Sequence, residues 1–180
     1  MKQIVLIDKD ELNKHVAGAK LYCADRFVVR TQPPKDDIRY SLPQDDDIKF
    51  SRKAGEAAKH IFNLKPIIPA STFSDSLLKM VTESGKKDSD VYKAAGVDRR
   101  HYSKIISKKD YQPSKDTCIA FALALELDIT KAADLLSSAG YSLSHSIKRD
   151  LYIEYFISAQ EYDLKMVNEV LLQLGEKPIK

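Results

Sequence analysis

The sequence predicts a mainly α-helical protein: a multi-helix bundle with a helix-turn-helix core over 72–175, preceded by a small α+β segment over 1–65. Three observations predict it. From Thr72 onward apolar residues recur at helical spacing. Nearly every such stretch opens on Ser, Thr or Asp, and most close on Gly. Two of the helices are short and separated only by Gly96-Val97-Asp98. Agreement between independent local signals is what specifies a single fold.

Residues 3–7, rich in β-branched side chains, predict a short strand. Asp8 or Asp10 then caps a helix through about Tyr22, with Leu12, Val16, Ala19 and Leu21 as its apolar stripe. A second strand is expected over 26–31, around Phe27-Val28-Val29. Over 32–47 the prolines Pro33, Pro34 and Pro43 and the run Asp45-Asp46-Asp47 leave almost no apolar period, which predicts a mobile loop. Helical spacing returns over 50–63 and stops at Pro66 and Pro69, where the domain boundary is placed.

Thr72 and Asp75 have the form of a capping box, ahead of an apolar face of Phe73, Leu77, Met80 and Val81 that ends at Gly85. Asp88 caps a short helix closed by Gly96, and Asp98 caps the next, with Tyr102, Ile105 and Ile106 inward. Ser114 opens a helix that is apolar nearly all round and predicts the buried centre of the bundle. Thr130 caps a helix carrying Ala133, Leu135 and Leu136 and stopped by Gly140. Ser144 starts a sixth with Leu151, Ile153, Phe156 and Ile157, and Asp163 a seventh ending at Gly175.

Bulk properties exclude several functions. A hydrophobic content of 43% with 31% charged residues gives a globular protein with a real core, and a net charge of +3 is too small for the whole molecule to act as a polycation. No apolar run approaches membrane-spanning length and no signal peptide is evident, so a cytoplasmic protein is expected. Cys23 and Cys118 are expected as free thiols, the latter buried. The N-terminal 70 residues contain only Gly18 and Gly55, too few for a phosphate-binding loop. His15, His60, His101 and His145 lie far apart and none has a Cys or His at ligand spacing, and Asp8, Asp10 and Glu11 are read as helix-capping acids. No metal, cofactor or enzymatic activity is expected.

The informative stretch is 88–105. Glycine tolerates a left-handed turn, valine plugs the gap between two helices, and aspartate caps the second. With Tyr102, Ile105 and Ile106 inward, Arg100, Ser103, Lys104 and Ser107 project outward, flanked by Arg99, His101 and Lys108. Lys109 and Lys115 extend the set, so 99–115 holds six Lys/Arg against one acid, Asp110. A solvated charged face would show similar clustering; the turn punctuation favours double-stranded DNA, with arginine reading guanine and lysines meeting phosphates.

Five segments carry a resemblance: Asp-Arg-Arg-His-Tyr-Ser-Lys-Ile at 98–105, Tyr-Gln-Pro-Ser-Lys at 111–115, Ala-Leu-Ala-Leu-Glu-Leu-Asp at 122–128, Ala-Gly-Tyr-Ser-Leu-Ser-His-Ser at 139–146 and Ile-Glu-Tyr-Phe-Ile at 153–157. Over somewhat more than half the chain it resembles helix-turn-helix modules of the lambda-repressor/Cro-like class, in the form found at the C-terminus of some bacterial macro-domain and other proteins. The resemblance implies a DNA-binding bacterial transcriptional regulator that uses Arg99, Arg100, Ser103 and Lys104. It departs from the pattern at Tyr92, four residues before the turn glycine, where repressors carry alanine, and at Tyr102, where a β-branched residue is usual. Fold does not guarantee function, so an adaptor that docks a protein partner stays open as the alternative. A homodimer is a further expectation, formed through Leu151, Tyr152, Tyr155, Phe156, Tyr162 and Met166.

Overall fold

Hydrophobic periodicity resolves into helices throughout a computed structural model that describes residues 7–27, 71–108 and 110–179. Among these residues there are eight helices: α1 (Lys9–Arg26), α2 (Phe73–Ser84), α3 (Asp88–Ala94), α4 (Arg99–Ser107), α5 (Lys115–Ala124), α6 (Ile129–Ser138), α7 (Lys148–Ser158) and α8 (Leu164–Gln173). None is long and apolar enough to cross a membrane. The mainly α-helical class is as the sequence predicts. The α+β character of the N-terminal part is not: no strand occurs among the described residues, Arg26 closes α1 and Phe27 is its C-cap. The rest of both expected strands, the loop at 32–47 and the helix at 50–63 lie outside the described residues.

The core forms around α5, whose residues from Thr117 to Ala124 are all buried, as its apolar surface requires. Helices α3, α6 and α8 pack on it, while α2 bridges α4 and α6. Cys118 and Cys23 are both free and buried.

Capping explains most boundaries. Thr72 accepts the amide of Asp75 while its hydroxyl donates to that carboxylate at 2.8 Å. Ser114 caps α5 and Asp163 caps α8. Three starts differ from expectation. Asp128, not Thr130, caps α6 by accepting from the Lys131 amide, which turns Ala132 rather than Ala133 inward. Lys87 stands at the α3 N-cap without a side-chain bond, and Asp88 is the first helical residue. Helix α7 begins at Lys148 rather than near Ser144, because the Ser144 amide is drawn to the buried Asp150 carboxylate at 2.9 Å and the chain turns there. Two helices end on non-glycine residues in the left-handed region, Glu126 after α5 and Gln160 after α7.

The largest departure from expectation concerns α1. It runs to Arg26, and the described residues 7–27 belong to the same compact unit as the described residues from 71 onward. Leu12, Ala19 and Cys23 are buried, and the helix lies on α7 and α8. A boundary at 65 therefore does not separate α1 from the bundle. The aromatic surface of α7 expected to pair two copies is covered from within the chain: Tyr22 packs edge-on to Tyr155 at 5.8 Å, and its hydroxyl donates to Glu154 at 2.9 Å.

Candidate nucleic-acid interface

The turn between α3 and α4 is built by the backbone. Gly96 takes φ +67°, which lets the Val97 amide reach back to the Tyr92 carbonyl at 2.8 Å and close α3. Val97 packs against the core, and Asp98 accepts the amides of Arg100 and His101 at 2.8 and 2.9 Å. Those two amides, His101's first, hold the Asp98 carboxyl below its ordinary value, so the cap is charged at neutral pH.

Tyr92 and Tyr102, the two departures from the repressor pattern, pack together. Their rings lie 5.4 Å apart between α3 and α4, and Tyr102 continues onto Phe121 of α5 at 6.0 Å. Large side chains on both helices fill the crossing jointly. Among the described residues the buried Tyr102 hydroxyl has no partner within hydrogen-bonding distance; burial first, then the charge and polar influence of the nearby Asp88 carboxylate, push it up to about 12. At the other end, Ser74 of α2 donates to the Ile106 carbonyl at 3.0 Å and ties the last turn of α4 to the bundle.

With Tyr102 and Ile105 buried, the opposite side of α4 is open. Arg99, Arg100, Ser103, Lys104, Ser107 and Lys108 are all exposed. At about 100° per residue they occupy one continuous half of the helix surface, four cations interleaved with two hydroxyls. Three other expected residues differ. His101 is half-buried, with its Nε2 3.1 Å from the Tyr111 hydroxyl. Lys109 lies outside the described residues. Lys115 is withdrawn from the face, because its ammonium donates to the buried Asp150 carboxylate at 2.6 Å. Tyr111, to which the sequence reading gave no role at the site, backs the strip: the Lys104 ammonium sits 4.4 Å from its ring centre. Asp88 and Asp90 are exposed on α3 and would repel phosphates there, confining any anionic partner to the α4 side.

The fold also brings together residues that sequence spacing kept apart. Glu11 and His15 share one face of α1, and Glu161 follows α7; one ligand-type atom from each lies within 4.8 Å of the others. Glu11 and His15 are four residues apart, a spacing visible in the sequence, but nothing local points to Glu161.

No family model, no characterised protein and no solved structure matches this chain.

Proposed function

We propose that this chain is a DNA-binding protein that sets α4 into the major groove, as a transcriptional regulator of the helix-turn-helix kind. The observation that carries the reading is the exposed half of α4, which presents Arg99, Arg100, Lys104 and Lys108 on a helix whose other side is fixed in the core. Arginine presents a planar fork suited to the guanine edge, lysine a compact charge for phosphate, and Ser103 and Ser107 can donate or accept. Each cation that meets a phosphate releases condensed counterions, so affinity falls with salt by roughly 0.9 log units per log unit for each phosphate engaged.

The test is a mobility-shift titration of mixed duplex DNA over a range of salt. The native protein binds with a steep salt dependence. The double variant Arg100→Glu with Lys104→Glu loses binding while its thermal midpoint stays within a few degrees of the parent, because both side chains are exposed. Undiminished binding by that variant would remove α4 from the interface.

A further inference from the structure

We propose that Glu11, His15 and Glu161 form a binding site for a divalent transition ion of the zinc type, which clips α1 to the turn between α7 and α8. Glu11 and His15 stand four residues apart on α1 and so share a face, one turn above the other. Glu161 is delivered by the tight end of α7. Gln160 takes φ +56°, and the Glu161 amide returns to the Phe156 carbonyl at 3.0 Å, which aims the next side chain back across α1. The three ligand-type atoms lie within 4.8 Å of one another, and His15 Nε2 is already 3.8 Å from a Glu161 oxygen. Zinc bonds of ~2.0–2.2 Å in a tetrahedron require donor separations of roughly 3.3–3.5 Å. The remaining gap falls to the two glutamate side chains, one exposed and one half-buried, rather than to the packed imidazole.

The imidazole is the fixed element. His15 is only 12% exposed at its side chain, and its ring lies 5.5 Å from Phe156 and 6.2 Å, edge-on, from Tyr155. Its two nitrogens face different chemistry. Nε2 looks toward Glu161, whereas Nδ1 lies 3.5 Å from the Tyr155 hydroxyl. A metal-bound histidine uses one nitrogen for the ion and the other for a polar partner that fixes its tautomer, and this arrangement supplies both. Two carboxylates offset the 2+ charge of the ion. One nitrogen with two carboxylate oxygens suits zinc, cobalt or manganese rather than magnesium or calcium, which take oxygen only. A water completes four-coordination. The ion bridges two segments that meet only in the folded chain, so it binds the folded state and stabilises it.

Cobalt(II) serves as the probe, added to tag-free, metal-stripped full-length protein. The proposal expects visible absorption that saturates at one ion per chain and is discharged by zinc. Glu11→Gln and Glu161→Gln, nearly isosteric, should each weaken cobalt binding at least tenfold without changing the metal-free thermal midpoint by more than a few degrees. Zinc should raise the midpoint of the native chain and leave that of Glu161→Gln unmoved. No visible absorption up to millimolar cobalt would overturn the site. Binding unaffected in either variant would overturn it as well, since three ligands are required.

Discussion

The ring of Tyr155 occupies the space in which any side chain at position 18 would begin: a β-carbon on Gly18 would collide with the tyrosine hydroxyl and Cζ. Helices α1 and α7 therefore cross with nothing but a hydrogen between backbone and ring. The ring cannot easily yield, because Tyr22 stands edge-on to it at 5.8 Å and Phe156 at 5.3 Å.

Gly18→Ala tests that closeness by the sign of its effect. In an open helix interior the change to alanine stabilises by about 1 kcal/mol. Here it should destabilise by about 1–3 kcal/mol, the cost of overpacking. Adding Tyr155→Ala should recover part of that loss, so the pair costs less than the sum of the singles by urea denaturation. A stabilising Gly18→Ala would mean that α1 stands off from α7.

Removal of residues 1–65 should not leave an undisturbed bundle. The deletion strips the cover from the α7 aromatics and removes the buried Leu12, Ala19 and Cys23. Leu12 alone contributes roughly 1.5–3 kcal/mol, and the partly buried Val16, Tyr22 and Phe27 also leave the core, so the loss should appear as a much lower urea midpoint or as self-association through the bared face. Tyr152→Glu, at a position only 7% exposed, should likewise unfold the chain rather than separate a dimer, which sedimentation of the soluble fraction would distinguish.

Lys104 and Lys115 should separate by phenotype although both belong to the basic stretch. Lys104→Ala is expected to weaken DNA binding and leave stability unchanged. Lys115→Ala leaves the Asp150 carboxylate, 2% exposed, without its ammonium, and breaking such a pair costs about 3–5 kcal/mol. Replacing both Lys115 and Asp150 by apolar residues should restore much of that stability. Calorimetry alongside the mobility shift tells the two roles apart, and a stable Lys115→Ala would show that the pair contributes little.

Stability should decline in alkali. Burial pushes the Cys118 thiol up to about 12 from an ordinary value near 9, and Tyr102, buried near Asp88, rises to about 12 from near 10. Both groups are neutral in the fold, so their contribution is complete below the unfolded values and is lost as pH rises from about 9 toward 12. Urea midpoints should be flat through neutrality and fall over that window, less steeply in Tyr102→Phe and in Cys118→Ala. At neutral pH, Tyr102→Phe should be neutral or stabilising, because the buried hydroxyl it removes has no partner within hydrogen-bonding distance among the described residues. An identical alkaline slope in both variants would contradict this assignment.

Local signals determined the helices beyond Thr72. A cap bonds to an amide two or three residues on, as Asp98 does to Arg100 and His101, and a turn glycine acts on its own φ. The inward set of Tyr102 and Ile105 and the outward cations of α4 follow from the same short range, since helical periodicity alone assigns them to faces. Signals of that range misplaced helix starts where a tertiary bond competed, as when buried Asp150 drew in the Ser144 amide. Tertiary structure alone decided that Lys115 is spent on Asp150, 35 residues away, and that Tyr22 meets Glu154, 132 residues on, so that α1 closes over α7. It also decided that His15 faces Glu161. Such contacts depend on how whole helices pack, and a loosely apolar helix such as α1 carries no local mark of which distant surface will bury it.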